Sequence, residues 1–195
     1  MKIAQADGWF DTEAPPSVVL HPVEVADAAD LLEFERLNRA YFERFIGSRG
    51  DAFYQLGEVR KALEKACQDR DEGKAYAYLV RIGDEIAGRL NLTQVERQQF
   101  FCAHLGYRIG EAWAGRGVAT AAVGQGVGLA LNQHQLWRIE AIVSAFNAGS
   151  ARVLEKNGFR RFGRSEQSFL HHGAWHDLIY FERHAPKPPI TQQGA

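Results

Sequence analysis

Between Leu105 and Thr120 the chain reads Leu-Gly-Tyr-Arg-Ile-Gly-Glu-Ala-Trp-Ala-Gly-Arg-Gly-Val-Ala-Thr: a strand pattern, a glycine turn and a helix start. Gly115 and Gly117 flank Arg116, and residues without Cβ let main-chain N–H groups come close to a ligand. The helix from Val118 adds unpaired N–H groups and the positive end of its dipole. Such a junction can hold a phosphate or pyrophosphate. A tight strand-to-helix turn with no ligand carries the same residues, so the pattern needs a second one beside it. His171, His172, His176 and His184 raise metal chemistry, but their spacing matches no standard ligand set and strand alternation sends neighbours to opposite faces. No metal is expected.

The elements that must position these residues follow from hydrophobic periodicity. Ser17–His21 is a short β-branched strand ended by Pro22. Asp27, a candidate N-cap, opens a helical repeat through Leu31 and Leu32 to Leu37, and Leu56 to Arg70 repeats that spacing. Between them Tyr41, Phe42, Phe45 and Ile46 form either a buried aromatic connection or the lining of a groove. Ala75–Ile82 and Ile86–Val95 make a hairpin around Gly83-Asp84-Glu85, and Phe100–Ile109 continues the meander. A helix is expected over 118–133, with Gly124, Gly126 and Gly128 as close-packing positions against the sheet, since each glycine costs up to about 1 kcal/mol in a helix interior. They do not form a G-x-G-x-x-G dinucleotide fingerprint. Leu136–Ala145 is a strand, Asn147–Asn157 a short helix stopped at Gly158, and Phe159–Leu170 and Trp175–Glu182 are closing strands. In the last hairpin Trp175 is expected to pack and Asp177 to accept hydrogen bonds.

A chain of 195 residues with 46% hydrophobic and 24% charged residues is long enough for one globular domain with a substantial core, placed at residues 1–185. Residues 1–16 read as an irregular lead-in and 186–195 as a disordered tail. The net charge of -1 supplies no basic field for nucleic acid. Cys67 and Cys102 make neither a disulfide framework nor a metal pair and are expected reduced, in a cytoplasmic protein. No apolar run approaches the length of about 20 residues that spans a bilayer, so no membrane partner is expected.

The second pattern is Asn147-Ala-Gly-Ser150-Ala-Arg-Val-Leu-Glu-Lys156-Asn-Gly158-Phe159. A strand, glycine turn, helix, strand, Asn-initiated short helix and Gly-Phe exit, in that order, resemble the GNAT family of acetyl-CoA-dependent N-acetyltransferases. Phe101-Cys-Ala-His-Leu-Gly-Tyr-Arg-Ile-Gly110, Trp137-Arg-Ile-Glu-Ala141 and Gly173-Ala-Trp-His-Asp177 are similar to its RimJ/RimL branch, the ribosomal-protein alanine acetyltransferase type. The resemblance covers Ser17 to Phe181. It implies an α+β fold, with a mostly antiparallel sheet of seven strands splayed between the fourth and fifth and flanked by about four helices.

By this resemblance acetyl-CoA binds in the splay. Its arm pairs with main chain at Ile109, Gly110 and Glu111, and its pyrophosphate rests on Gly115, Arg116, Gly117, Val118, Ala119 and Thr120. Asn147 bonds the arm, caps the short helix, or does both. Arg116 or Arg152 pairs with phosphate or is a surface arginine. The family's Q/R-x-x-G-x-G/A loop here begins with Ala114, so that first side chain's contribution is missing. Main-chain N–H near Ile109 and Gly110 is the expected oxyanion donor.

No tyrosine lies between Asn147 and Phe159 to act as the acid on the thiolate, and the resemblance transfers that role to Ser150. The alternative for Ser150 is a first-turn hydroxyl bonded to backbone. Glu140 is either the general base or an arginine's partner. The glutamate of RimL-like relatives falls near Ser168, with Glu166 two positions away, and a chain of waters is the third route for the proton.

The implied function is acetyl transfer from acetyl-CoA by direct attack of a primary amine, foremost the N-terminal α-amine of a ribosomal or other protein. A small amine (polyamine, amino acid or antibiotic) is the alternative acceptor. A non-catalytic acetyl-CoA- or ribosome-binding module is the reading from another class. The chain is expected to be a monomer or homodimer.

Overall fold

The computed structural model describes residues 17–188. The expected lead-in at 1–16 and most of the expected tail lie outside the described residues. Seven strands form one sheet: β1 (Val18–Pro22), β2 (Tyr76–Ile82), β3 (Glu85–Glu96), β4 (Cys102–Ile109), β5 (Arg138–Ser144), β6 (Arg160–His171) and β7 (Ala174–His184). Their order is β1-β2-β3-β4-β5-β7-β6, and every neighbouring pair is antiparallel except β4 with β5. The helices are α1 (Ala28–Leu37), α2 (Arg39–Phe42), α3 (Leu56–Asp71), α4 (Val118–Gly128) and α5 (Ala148–Lys156).

Side chains alternate across each strand, so a central sheet buries two faces. On one face Tyr78, Val80, Leu90, Leu92, Leu105, Ile139 and Phe181 pack with Val118, Ala122, Val123 and Leu154 of α4 and α5. On the other, Leu79 packs with Leu31, Leu32, Phe34, Phe42, Val59 and Leu63 of α1, α2 and α3. Each fully buried aliphatic or aromatic side chain contributes about 1.5–3 kcal/mol relative to exposure.

Three local expectations change. Asp27 does not cap α1; its carboxylate accepts from the Glu24 N–H at 2.8 Å and from Arg81 at 2.9 Å, closing a 3-10 turn over Val25–Asp27. The helix over 118–133 leaves α geometry at its end and finishes as a π turn over Leu129–Gln133. Of its three glycines only Gly126 packs on the sheet, where a Cβ would lie 2.6 Å from Leu90 Cδ1. A Cβ on Gly124 would meet Asn157 of the α5 end at 3.0 Å, and one on Gly128 would meet nothing within 4 Å.

Candidate active site

β4 and β5 run side by side only at Cys102–His104 and Arg138–Glu140, then part. Beyond that point Leu105–Ile109 pairs only with β3, and Ala141–Ser144 only with β7. Gly110 N–H donates to Ala87 O at 2.8 Å, toward β3, whereas Phe101 O accepts from Trp137 and Arg138 toward β5. Main-chain groups point to alternate sides along a strand. The N–H and C=O of Tyr107 and Ile109 therefore face the opened side.

A cavity of about 570 Å³ opens at this gap, bordered by Tyr107 to Ile109 of β4 and by Phe146 to Ser150 beyond the end of β5. Tyr107 and Ile109 border it from the face of β4 that carries α4 and α5, and Arg108 from the opposite face. The cavity thus passes through the sheet where the strands part. One end meets the α4 turn and α5; the other meets Tyr41, Phe42, Phe45 and Ile46 from α2 and the residues after it.

At the first end Gly117, with φ of 80°, is the N-cap of α4, and Gly115 has φ of 77°. No atom would meet a Cβ at either, so the requirement for glycine here is the left-handed backbone. Gly115, Gly117, Ala119 and Thr120 border the cavity beside the unpaired N–H groups of the α4 first turn. Val118 is buried in the core at 1% exposure, which leaves only its main chain for a ligand. Arg116 turns aside, with its guanidinium 5.5 Å from the Trp113 ring. Arg152 and Lys156, one turn apart on α5, supply cationic side chains on the cavity wall instead. Lys156 was not singled out by spacing; its signal is the i,i+4 relation to Arg152.

Asn147 caps α5 by accepting from Ser150 N–H at 3.0 Å, and both residues border the cavity. The Ser150 hydroxyl lies 2.8 Å from the Tyr107 phenol, which also reaches Ser150 O at 3.2 Å. Burial pushes the Tyr107 phenol up to about 12, against a smaller opposing effect of its bond to Ser150. A hydroxyl pair in the cavity wall is therefore protonated at neutral pH and can donate. Tyr107 was missed because it sits in register with Leu105 and Ile109, where a sequence shows only a core position.

The expected main-chain donors narrow to one. Gly110 N–H is used by Ala87 O, and Glu111 N–H by Asn38 Oδ1 at 2.9 Å, which leaves Ile109. Glu140 is not brought to the cavity. It sits at the root of the splay, with its carboxylate 2.7 Å from Arg138 Nη2 and 3.4 Å from His104 Nε2. Glu166 is exposed on β6 away from the cavity wall, and Ser168 bonds Ser165 O. No Asp or Glu borders the cavity among the described residues.

The histidines do structural work. His171 stacks between Phe146 and Phe169, with centroids at 5.5 and 5.4 Å, and its Nε2 donates to Arg44 O at 3.2 Å. His172 donates to Glu43 O at 3.1 Å, so the β6–β7 hairpin is tied to the segment after α2. Among the described residues no group of three His, Cys, Asp or Glu could hold a metal. Asp177 accepts from Gln167 N–H at 2.8 Å and from Arg164, while Trp175, expected to pack, is 60% exposed.

At the α2 end a charge network was also missed. Glu35, 1% exposed, takes Arg108 and Arg89 on the same oxygen, the latter at 3.2 Å. The available signal was a carboxylate at i+4 from Leu31, on the inward stripe of α1. The free cysteines are Cys67, partly buried, and Cys102, buried. No helix among the described residues is long and apolar enough to cross a membrane.

This geometry can be set beside known proteins. A family model described as an acetyltransferase (GNAT) domain matches residues 17–160. The probable N-acetyltransferase YjcK of Bacillus subtilis is 33% identical over 163 residues, 83% of this chain and 90% of that protein. The ribosomal protein uS5-alanine N-acetyltransferase of Escherichia coli is 25% identical, over 83% of this chain and 84% of its own. The structure of Mycobacterium smegmatis RimJ in complex with CoA-disulfide superposes with a TM-score of 0.80 at 25% identity, covering 88% of this chain and 85% of that one.

Proposed function

This chain belongs to the GNAT acetyltransferase family, and from that premise we propose that it moves acetyl from acetyl-CoA to the N-terminal α-amine of a ribosomal or other protein. The observation that carries the reading is one cavity that joins the α4 glycine turn, the unpaired edge of β4 and the Ser150 hydroxyl. The residues fit the donor: main-chain N–H of α4 with Arg152 and Lys156 for its phosphates, Tyr107 and Ile109 main chain for its arm, and Asn147 beside them.

Acetyl-CoA would supply a thioester; attack by the neutral amine forms an N–C bond and breaks the C–S bond, and the proton lost from the attacking nitrogen balances the one the departing thiolate takes up. In this reading Ile109 N–H polarises the carbonyl oxygen. Ser150 donates to the sulfur, and Tyr107 replenishes it across their shared hydrogen bond. With no carboxylate on the cavity wall among the described residues, water carries the proton from the acceptor ammonium. The wall of Tyr41, Phe42, Phe45 and Ile46 favours a peptide end over a polyamine, whose multiple ammonium groups call for acidic partners. A cytoplasmic location fits this acceptor.

The test is release of free thiol from acetyl-CoA with N-terminal peptides and small amines, alongside the melting temperature with acetyl-CoA. Turnover on peptides supports the proposal. Binding without thiol release on any acceptor makes the protein a non-catalytic module, and no rise in melting temperature overturns the donor assignment.

A further inference from the structure

The acceptor end of the cavity holds more positive charge than its surroundings neutralise. Arg89 of β3, Arg108 of β4 and Glu35 of α1 meet in the interior, two guanidinium groups on one carboxylate. Both arginine side chains are 13% exposed and Glu35 is 1% exposed. Arg49, exposed and with its guanidinium carbon 4.6 Å from the centre of the Phe53 ring, adds a further positive charge within electrostatic reach of Glu35 and Arg89. Arg108 Nε, Arg89 Nε and Glu35 Oε2 are shut from solvent without a hydrogen-bond partner. Surplus buried positive charge is costly to a fold, and an anion in the cavity beside Arg108 would offset it. Burial first, then the neighbouring arginines, pushes Arg108 down to about 10 against the opposing pull of Glu35, so it remains a cation at neutral pH.

Arg108 alone of this cluster borders the cavity. Its guanidinium carbon lies 5.2 Å from the centre of the Phe42 ring, which also borders the cavity. The wall there is otherwise apolar, with Tyr41, Phe45 and Ile46 around it. We propose that Arg108, backed by Arg89 and Arg49, is an anion subsite that reads a carboxylate carried by the acceptor close to its attacking amine, while the aromatic wall receives an apolar side chain. This rests on the acetyltransferase reading and narrows its acceptor. Two sources share the chemistry: the α-carboxylate of a free amino acid, and an Asp or Glu side chain next to a polypeptide N-terminus.

The test compares matched acceptors on the full chain. One arm uses L-phenylalanine against L-phenylalaninamide; the other uses amidated tetrapeptides with Glu or Gln at the second position. The carboxylate form should have a KM lower by about 10- to 100-fold in one arm, the range of a charge-assisted hydrogen bond, and that arm names the source. Arg108→Gln should abolish the difference and Arg108→Lys retain part of it. Equal KM values for acid and neutral forms in both arms overturn the proposal, and so does a carboxylate advantage that survives Arg108→Gln. Calorimetry with the N-acetylated products, acid against amide, reads the same subsite without turnover. If no acceptor is acetylated but the acid products bind about tenfold tighter, the subsite stands and the catalytic reading falls; if they bind equally, both fall. Should Arg108→Gln fail to fold, the wild-type pairs and Arg108→Lys decide.

Discussion

The Tyr107 phenol and the Ser150 hydroxyl lie 2.8 Å apart, although one comes from the middle of the sheet and the other from the first turn of α5. In the proposed reaction the pair would act as a two-member donor in place of a single acid. Ser150→Ala should lower kcat by about 100-fold with a smaller change in the acetyl-CoA KM, and Tyr107→Phe should lower it less. Because the two act through one hydrogen bond, the double variant should lose no more than Ser150→Ala alone. Steady-state thiol release on all three variants checks this; multiplicative losses would separate the residues.

Gly117 holds the N-cap of α4 at a φ of 80°. An alanine there carries about 1–2 kcal/mol of backbone strain and moves the N–H groups of the turn. Gly117→Ala should raise the acetyl-CoA KM by about tenfold and leave kcat within about twofold. An unchanged KM would remove this turn from donor binding.

The α4 glycines give opposite signs. Gly126→Ala places a methyl 2.6 Å from Leu90 Cδ1 in the core and should destabilise by about 1–3 kcal/mol. Gly128→Ala meets nothing within 4 Å at a helical φ of -57°, and should stabilise by up to about 1 kcal/mol. Chemical denaturation of both variants measures the contrast.

His134 stacks on Tyr76 with centroids 3.5 Å apart, and its Nε2 is 2.7 Å from the Tyr78 phenol. Burial, and then Arg97, holds its imidazole below the ordinary value of 6.5. The unfolded chain therefore takes up a proton at His134 before the folded one does. The stability of the neutral ring is complete above that pH and shrinks as pH falls through it. The melting temperature should drop between about pH 7.5 and about pH 5.5, and His134→Gln should remove part of the drop. An identical drop in the variant would assign the effect to other groups.

What could be read from the residues alone was what leaves a local trace. The change from helical to strand spacing at Ala75, the glycine turn before Val118 and the Gly158 stop placed the elements in their observed order. The Asn147 cap was equally visible, because a cap lies within three residues of the N–H that it serves. The Glu35–Arg108 contact joins residues 73 positions apart and has no such trace. Tyr107 was hidden by looking like core, and strand spacing does not say where β4 and β5 stop pairing, which left open how far Glu140 stands from the cavity. Gly124 and Gly128 read like Gly126 because a glycine does not record what it faces.

The three-residue pairing of β4 with β5 makes the sheet two leaves, β1 to β4 and β5 to β7, whose strands pair with each other only along one short seam at Cys102–His104. A tilt of one leaf against the other opens the slot least beside His104 and most beside Ile109, in proportion to distance from the seam. The slot is therefore narrowest beside His104, where Glu140 and Arg138 pair, and widest at the level of Ile109, so a substitution at that ion pair would reset the slot width without touching a reacting atom.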